Sequence, residues 1–527
     1  MIASKSEFPQ IIHKGSIHEF SKTAGNNSCK LNVSCMVTMN QKLDSRSTWQ
    51  FGLATVFVTA ALGYFGNGLH PVWWLTWIAP VPSLVLAPRV NKRVAFLVAF
   101  AGWGLGGFTW WNYLHRVIEL PVSVFVVAAV VSAIVFALGV LLARMFLIRG
   151  SLWRAALALP AVWVAYEYLN ALTSPHSTFG NLSYTQMNFL PMVQVASVAG
   201  LWGISFLLFL LPSAVAALLA YPSRDQRRKS FLAVIAAMFA LVIALGSWRA
   251  FSSARGLGHV TVGLVASDAR ENVSPLSGDS GMRILRSYAD QIGPLASQGA
   301  QTIVLPEKIS TISDAQIPEI DDLFQTAAST DHVNILVGVD HRQADDSLNE
   351  ARLYRADHAP VTVYVKHHLI PGFEARDRPG TEFSILTSGT LVQGLAICKD
   401  MDFPGLSRHY GQEDVALLLV PAWDFNADRW LHDRMAVMRG VENGFTIARA
   451  AKQGLLTVSD YRGRVIAEQR TDTGAFSSLI AEAPIYRSET VYSRFGDWFA
   501  WLNLVLLAAL VSSAMIGRKH PPASSAI

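Results

Sequence analysis

Between residues 49 and 249 the chain repeats one pattern, an apolar run long enough to cross a bilayer followed by a short polar connection. The runs fall at 50–67, 71–88, 94–112, 120–143, 155–173, 190–221 and 230–249, and an eighth, FAWLNLVLLAALVSSAMIG, covers 499–517. A span takes roughly 20 helical residues. Inside hydrocarbon every backbone polar group must bond within its own segment, so these runs are expected to be helices. The sixth is too long for one simple span, and a tilt or a re-entrant piece is expected around its GLWGIS segment. Composition agrees: 51% of residues are hydrophobic and only 15% charged, with 15 Trp, whose indoles favour the water–lipid interface.

Basic residues orient the runs. Alternate connections carry Arg89, Lys92 and Arg93, then Arg144, Arg149 and Arg154, then Arg224, Arg227, Arg228 and Lys229, and finally Arg518 and Lys519. The intervening loops hold almost none apart from Arg116. The positive-inside rule puts the first set in the cytoplasm, with residues 1–48, and places 250–498 on the outer side. The net charge of +5 is therefore a topology signal, and nucleic acid is set aside as a partner. Residues 1–48 form a polar leader, expected to be disordered, without the plan of a cleaved signal peptide, and Met39 is an alternative start. Cys29 and Cys35 in that leader, with Cys398, are too few for a disulfide framework.

The outer loop at 173–190, TSPHSTFGNLSYTQMNFL, is uncharged and rich in aromatic and hydroxyl side chains. It follows a run carrying Glu167 and Asn170 near its outer end. Glu167 has two readings of equal weight: an intramembrane carboxylate is a functional candidate by default, and one near the interface is simply solvated or bonded to a neighbouring helix.

Residues 257–487 change character. GHVTVGLVASD, QTIVLPE, VNILVGVD, APVTVYVK, LVQGLAIC and VALLLVPAWD read as strands, while MRILRSYADQIGPLASQGA and HDRMAVMRGVENG read as helices, the latter closed by Gly444. Strands alternating with helices predict an α/β layered domain. Glu307, Lys366 and Cys398 each sit where a strand ends, the edge at which loops converge and ligands bind. Singly each has an ordinary reading: an exposed turn, a solvated cation, a structural thiol. Together they supply a base, an electrophile and a nucleophile. A thiol must lose its proton to attack, a carboxylate accepts that proton, a nearby cation lowers the thiol pKa, and an ammonium can hold the oxyanion of a tetrahedral intermediate.

Glu in VLPE, Lys in VKHHLIPGFE and Cys in AICKDMDFP resemble the Glu-Lys-Cys triad of the nitrilase, or carbon–nitrogen hydrolase, superfamily. Placed between seven spans and one, the domain is similar to the superfamily's membrane branch, the apolipoprotein N-acyltransferases. PAVWVAYEYLNALTSPHSTFGNLSYTQ, GLWGISFL and the segment from PAWDF to SDYRG resemble other regions of that branch, so the resemblance runs from about residue 50 to 517. It implies an α-β-β-α sandwich on a polytopic helical membrane domain. The divisions are a leader at 1–48, seven helices at 49–249, a catalytic domain at 257–487 and a last helix at 499–517.

The resemblance further implies a two-step reaction in a bacterial cytoplasmic membrane, with the catalytic domain on the outer, periplasmic face and both termini cytoplasmic. Cys398 takes a fatty acyl chain from a phospholipid as a thioester, and the α-amino group of a diacylglyceryl-cysteine in an apolipoprotein then removes it. Glu307 is implied as general base and acid, Lys366 and the Lys399 backbone N–H as oxyanion holders, and Glu374 as the partner of Lys366. Asp400 is implied as supporting, and Trp423 and Glu167 as substrate-binding. Such chemistry calls for no metal or other cofactor, and the adjacent His367 and His368 would point apart in a strand. The sequence departs from the pattern after the nucleophile, where Lys399 and Asp400 replace an aromatic and Glu, and in LIPGFE, where Gly and Phe are exchanged. The Lys399 side chain has two expected roles, depressing the thiol pKa or meeting a phosphate head group. These departures leave open a membrane-anchored amidase, an acyltransferase with another amine acceptor, and a catalytically idle scaffold.

Overall fold

The computed structural model describes residues 45–221, 223–253, 256–486 and 488–516. Cys29, Cys35, Met39, nearly all of the expected leader, Arg518 and Lys519 lie outside the described residues. Among the described residues, five helices are long and apolar enough to cross a membrane: Val122–Ile148, Leu152–Thr173, Ala196–Ala220, Gln226–Phe251 and Trp498–Ile516. They coincide with the fourth to eighth apolar runs. Helices Ser45–Gly66 and Lys92–Gly106, of 22 and 15 residues, lie on the first and third.

The second run, 71–88, is not one helix but two short ones, Leu75–Ile78 and Val81–Leu86. Pro80 and Pro82 supply no N–H to a continuous ladder and clash with the preceding turn, so the chain starts afresh there. The third run loosens after Gly106 into a 3₁₀ turn, Gly107–Trp110, and a π turn, Asn112–Val117. The sixth breaks within GLWGIS, where Gly200 takes φ 62° and ψ −174°. A Cβ at Gly200 would lie 2.5 Å from the Tyr492 ring, so glycine alone fits this turn. Where the helix resumes, the Leu201 N–H donates to Glu442 Oε1 at 3.0 Å, a side chain of the extramembrane domain.

That domain is two sheets packed face to face with helices outside. The first sheet has the order Ser477–Ile485, Gly258–Ala266, Thr302–Val304, Asn334–Arg342, Ser347–Tyr354, Thr362–Val365, and Thr311–Ser313 pairs off the fourth of these. The second runs Val465–Arg470, Leu455–Ser459, Thr446–Lys452, Leu417–Trp423, Leu391–Leu395, Ile385–Ser388. The period of two sorts the side chains. Leu264, Val304, Leu336, Leu417 and Leu419 meet between the sheets. Val265, Ile303, Ile335 and Val337 turn outward onto helices Gly278–Ala289 and Ile317–Thr330, and Leu418 and Val420 turn onto Pro404–Gln412 and Arg429–Asn443. The result is the α-β-β-α sandwich that the resemblance implied.

Two local expectations differ. The helix expected over MRILRSYADQIGPLASQGA is two, Gly278–Ala289 and Ile292–Ser297, with Pro294 in the second one's first turn. Strand Ser347–Tyr354, SLNEARLY, has no apolar pattern to announce it, yet most of it is buried. Its charges are internally paired, Arg352 with Glu350 at 2.8 Å and with Asp321 at 3.0 Å. The sandwich also enters the membrane-domain core: Leu431, Met435, Met438 and Val441 of Arg429–Asn443 share an apolar cluster with Phe136, Leu159 and Phe209.

Candidate active site

Four polar side chains converge at the end of the first sheet. Lys366, one residue beyond strand Thr362–Val365, is fully buried. Its Nζ donates to Glu307 Oε1 at 2.7 Å and to Glu374 Oε2 and Oε1 at 2.9 and 3.1 Å. Asn349 Nδ2 donates to the same two carboxylates, to Glu307 Oε1 at 2.6 Å and Glu374 Oε1 at 2.7 Å. The Ile370 N–H adds a 2.7 Å bond to Glu374 Oε2. Backbone bonds fix Lys366 itself, through Asn349 O at 2.9 Å and Gly380 N at 2.9 Å. Burial opposes the ammonium charge, but Glu307 and Glu374 together hold the Lys366 pKa well above its ordinary value. Burial likewise opposes Glu374, and Lys366 and Lys308 overcome it, holding that carboxyl down. Both side-chain bonds to Glu307 fall on Oε1, which leaves Oε2 without a protein partner among the described residues.

Cys398 comes from the other sheet, three residues past strand Leu391–Leu395 and at the start of a 3₁₀ turn, Cys398–Asp402. The Glu307 N–H, bonded to Ala422 O at 3.2 Å, ties the end of strand Thr302–Val304 to Leu417–Trp423, the strand beside Leu391–Leu395. Cys398 has φ 42°, in the left-handed region that L residues avoid. Asp400 is what holds the turn. Its Oδ2 accepts from the Ile397 N–H at 3.0 Å and the Tyr364 hydroxyl at 2.8 Å, and its Oδ1 from the His368 N–H at 2.9 Å. The nucleophile turn and the lysine loop are thereby fastened to one carboxylate. Strain in this region is worth about 1 kcal/mol or more in a non-glycine residue. Cys398→Gly is therefore expected to be more stable than Cys398→Ala by about 1 kcal/mol, against the usual order. Thermal unfolding of the two variants in detergent micelles checks this, and the opposite order would mean a relaxed turn.

The thiol is protonated at rest. Burial and the Glu307 charge push its pKa well above the ordinary value, and Lys366 and Arg449 only partly offset them. The neighbouring cations do lower the thiol, as expected, but by less than burial and Glu307 raise it. The Lys399 Nζ sits 3.1 Å from Asp402 Oδ2 and 3.1 Å from His176 Nδ1. Burial and the Lys399 ammonium hold His176 down to about 4, so a neutral ring accepts this bond. Thr178 completes the junction with a hydroxyl bond to Asp402 O at 2.6 Å. The side chain that departs from the family pattern thus latches the outer loop to the nucleophile turn. The Lys399 amide lies in the first turn of the 3₁₀ helix, where N–H groups have no partner within the helix.

Cys398, Lys399 and Trp423 line one cavity of about 180 Å³, with Tyr113, Phe373, Phe425, His432 and Arg449. Trp423 is held by its Nε1 bond to Gln453 at 2.9 Å and by Lys452 Nζ at 3.7 Å from its ring centre. Glu167 is not in this cavity. It lines a larger one of about 710 Å³ among the membrane helices, with Trp103, Ser132, Trp163, Val127 and Asn181. Glu167 is buried, its Oε1 accepts from the Leu182 N–H at 3.0 Å, and its Oε2 has no hydrogen-bond partner among the described residues. The two cavities adjoin, sharing Leu114, Leu120, His176 and Phe179 as walls.

Residues 59–214 match the apolipoprotein N-acyltransferase N-terminal domain, and residues 247–483 match the carbon-nitrogen hydrolase domain. Relatives carrying both halves extend across most of the chain. The apolipoprotein N-acyltransferase of Geobacter metallireducens is 25% identical, covering 88% of this chain and 94% of its own. That of Haemophilus ducreyi is 24% identical, covering 88% and 97%. The chain belongs to the apolipoprotein N-acyltransferase family. Among solved structures, an amidase from Nesterenkonia sp. is 20% identical, with a TM-score of 0.38, covering 49% of this chain and 98% of its own.

For a member of this family, the residues that reading the sequence missed are those whose role exists only in three dimensions. Asn349 lies on the strand that carried no apolar pattern. His432 and Arg449 line the thiol's cavity from helix Arg429–Asn443 and strand Thr446–Lys452, Asp428 and Asp424 pair with them from behind, and only the fold assembles the four. The one available signal was the acidic spacing in WDFNADRWLH, which places two carboxylates shortly before a histidine at a helix start.

Proposed function

We propose that this chain transfers a fatty acyl group from a membrane phospholipid, through a thioester on Cys398, to the α-amino group of diacylglyceryl-cysteine at an apolipoprotein N-terminus. The observation that carries this reading is the pair of adjoining cavities. One holds the thiol, and the other opens among the apolar helices beside Val127, which is 61% exposed. In the first half-reaction the Cys398 proton passes to Glu307 as the sulfur attacks the ester carbonyl. Because the resting thiol is protonated, transfer and attack are coupled. Lys366 and the Lys399 N–H hold the oxyanion, and Glu374 with Asn349 keeps Lys366 in place. Lysophospholipid leaves, the amine attacks the thioester, and the amide product restores the thiol. Trp423 contacts the acyl-bearing substrate, and Glu167 meets a polar part of it within the membrane.

The same reading takes the eight apolar runs as eight crossings of a bacterial cytoplasmic membrane. It places the sandwich on the outer face and both termini in the cytoplasm, on the evidence of the basic connections. The test is intact mass of the full chain purified in phospholipid–detergent micelles. A single fatty-acyl adduct on Cys398 is expected, removed by neutral hydroxylamine and absent from Cys398→Ala. A synthetic diacylglyceryl-cysteine peptide with a free amine should discharge it, and the N-acetylated peptide should not. No adduct, with ammonia released from simple amides, would replace the reading by an amidase.

A further inference from the structure

Each half of an acyl transfer from an ester to an amine moves one proton, from the thiol to the departing glycerol oxygen and then from the attacking nitrogen back to the sulfur. Glu307 alone balances both, but it must then serve the sulfur and the oxygen or nitrogen in turn, and a second carrier lets each atom have its own. The thiol's cavity contains a second proton-bearing group. His432, in the first turn of helix Arg429–Asn443, lines it together with Cys398. The His432 Nδ1 lies 3.3 Å from Asp428 Oδ2 and 3.5 Å from Asp424 Oδ1, an ion-pair contact shared between two carboxylates. Both carboxylates are fully buried and fixed from behind. Asp424 receives Arg449 through two bonds, of 3.0 and 2.5 Å. Asp428 accepts from the Tyr113 hydroxyl at 2.5 Å and the Phe425 N–H at 2.9 Å. The Phe179 ring packs edge-on against the imidazole, with centres 5.5 Å apart. Burial opposes a charge on His432, yet Asp428, Asp424 and Asp402 push its pKa up to about 9, so the ring is cationic at neutral pH. With Nδ1 facing the carboxylates, Nε2 is the edge that a ligand in the cavity can meet.

We infer that His432 is the second proton carrier of the acyl transfer, giving a proton to the departing glycerol oxygen and recovering one from the attacking amine. The inference rests on the proposed acyltransfer and divides its proton transfers between two groups. In acylation the S–H proton goes to Glu307, the C–S bond forms, the ester C–O bond breaks, and the oxygen leaves with the Nε2 proton of His432. In deacylation the amine nitrogen bonds the carbonyl carbon and gives a proton to neutral His432. The C–S bond then breaks and the sulfur takes back the proton held by Glu307. Both carriers return to their starting states and no other reactant is needed. General acid catalysis matters in proportion to how poor the leaving group is.

The test uses that dependence. Single-turnover acylation of Cys398 is followed by mass in wild type and His432→Gln, with a phospholipid and with a p-nitrophenyl ester of the same fatty acid. For the variant, a loss of about 100-fold or more is expected with phospholipid. With the activated ester, whose leaving group needs no proton, its rate should stay within about threefold of wild type. In His432→Ala, added imidazole should restore part of the phospholipid rate. Equal losses with both donors would reduce His432 to a structural role, and no loss with either would make it idle; each result overturns the inference. If wild-type Cys398 accepts an acyl group from neither donor, the acyltransfer reading itself falls, and this inference with it.

Discussion

Lys366→Met should form no measurable acyl-enzyme, a loss of about 1,000-fold or more, and should unfold more readily than wild type by about 3–5 kcal/mol. Both effects come from one geometry. The Lys366 ammonium is fully buried and sits within 2.7–3.1 Å of Glu307 and Glu374. Removing it leaves two carboxylates, 3% and 7% exposed, facing each other across Asn349. Lys308, 3.6 Å from Glu374, compensates only one of them. Breaking one side of a buried ion cluster is costly because the remaining charge has neither water nor partner. On the proposed mechanism catalysis loses its oxyanion donor, and the site loses the cation that partly restrains the Cys398 pKa. Lys366→Arg should not rescue, since a planar guanidinium does not fit a pocket closed around a compact ammonium. Single-turnover mass measurement and chemical unfolding in micelles check the two effects. Acylation within tenfold of wild type in Lys366→Met would remove Lys366 from the chemistry.

What the sequence disclosed depended on whether a residue's role is local. Glu307, Lys366 and Cys398 were visible because each follows an apolar strand, where a polar residue breaks the pattern, and Glu374 because it keeps a short spacing from Lys366. The apolar runs were visible for the same reason, except 71–88, where the prolines outweigh hydropathy and divide the run into short helices. Asn349 was invisible because its strand pairs its charges internally and so reads as a surface segment. The bond from the Lys399 side chain to the outer loop was invisible because its partner, His176, lies more than two hundred residues away in the membrane-domain loop. Asp400 stood both as a supporting residue and as a departure from the family pattern, and its bonds fasten the nucleophile turn to the lysine loop. No spacing rule shows whether a carboxylate faces a ligand or its own backbone.

Glu307→Gln should separate two reactivities of the same sulfur and move them in opposite directions. In wild type the pKa of Cys398 is raised first by burial and next by the Glu307 charge, while Lys366 pulls it down. A neutral carboxamide in place of the Glu307 carboxylate keeps the shape but removes the raising charge, so the thiol pKa falls and the thiolate fraction at pH 7 grows. Alkylation of Cys398 by a small haloacetamide, which needs only thiolate, should therefore speed up at neutral pH. Its pH profile should shift toward lower pH than that of wild type. Acylation by phospholipid should move the other way, falling by about 100- to 10,000-fold, because the amide cannot take the thiol proton during attack or return it when the thioester is cleaved. The carboxamide oxygen can still accept from Lys366 and Asn349, whose bonds fall on the single oxygen Oε1 in wild type, so the variant should fold. The measurement pairs alkylation rates across pH 6–10 with single-turnover acylation on the same preparation. If both rates fall together, Glu307 is holding the site's shape and is not its base. If alkylation rises while acylation collapses, the carboxylate restrains the nucleophile at rest and releases it only as the ester carbonyl arrives.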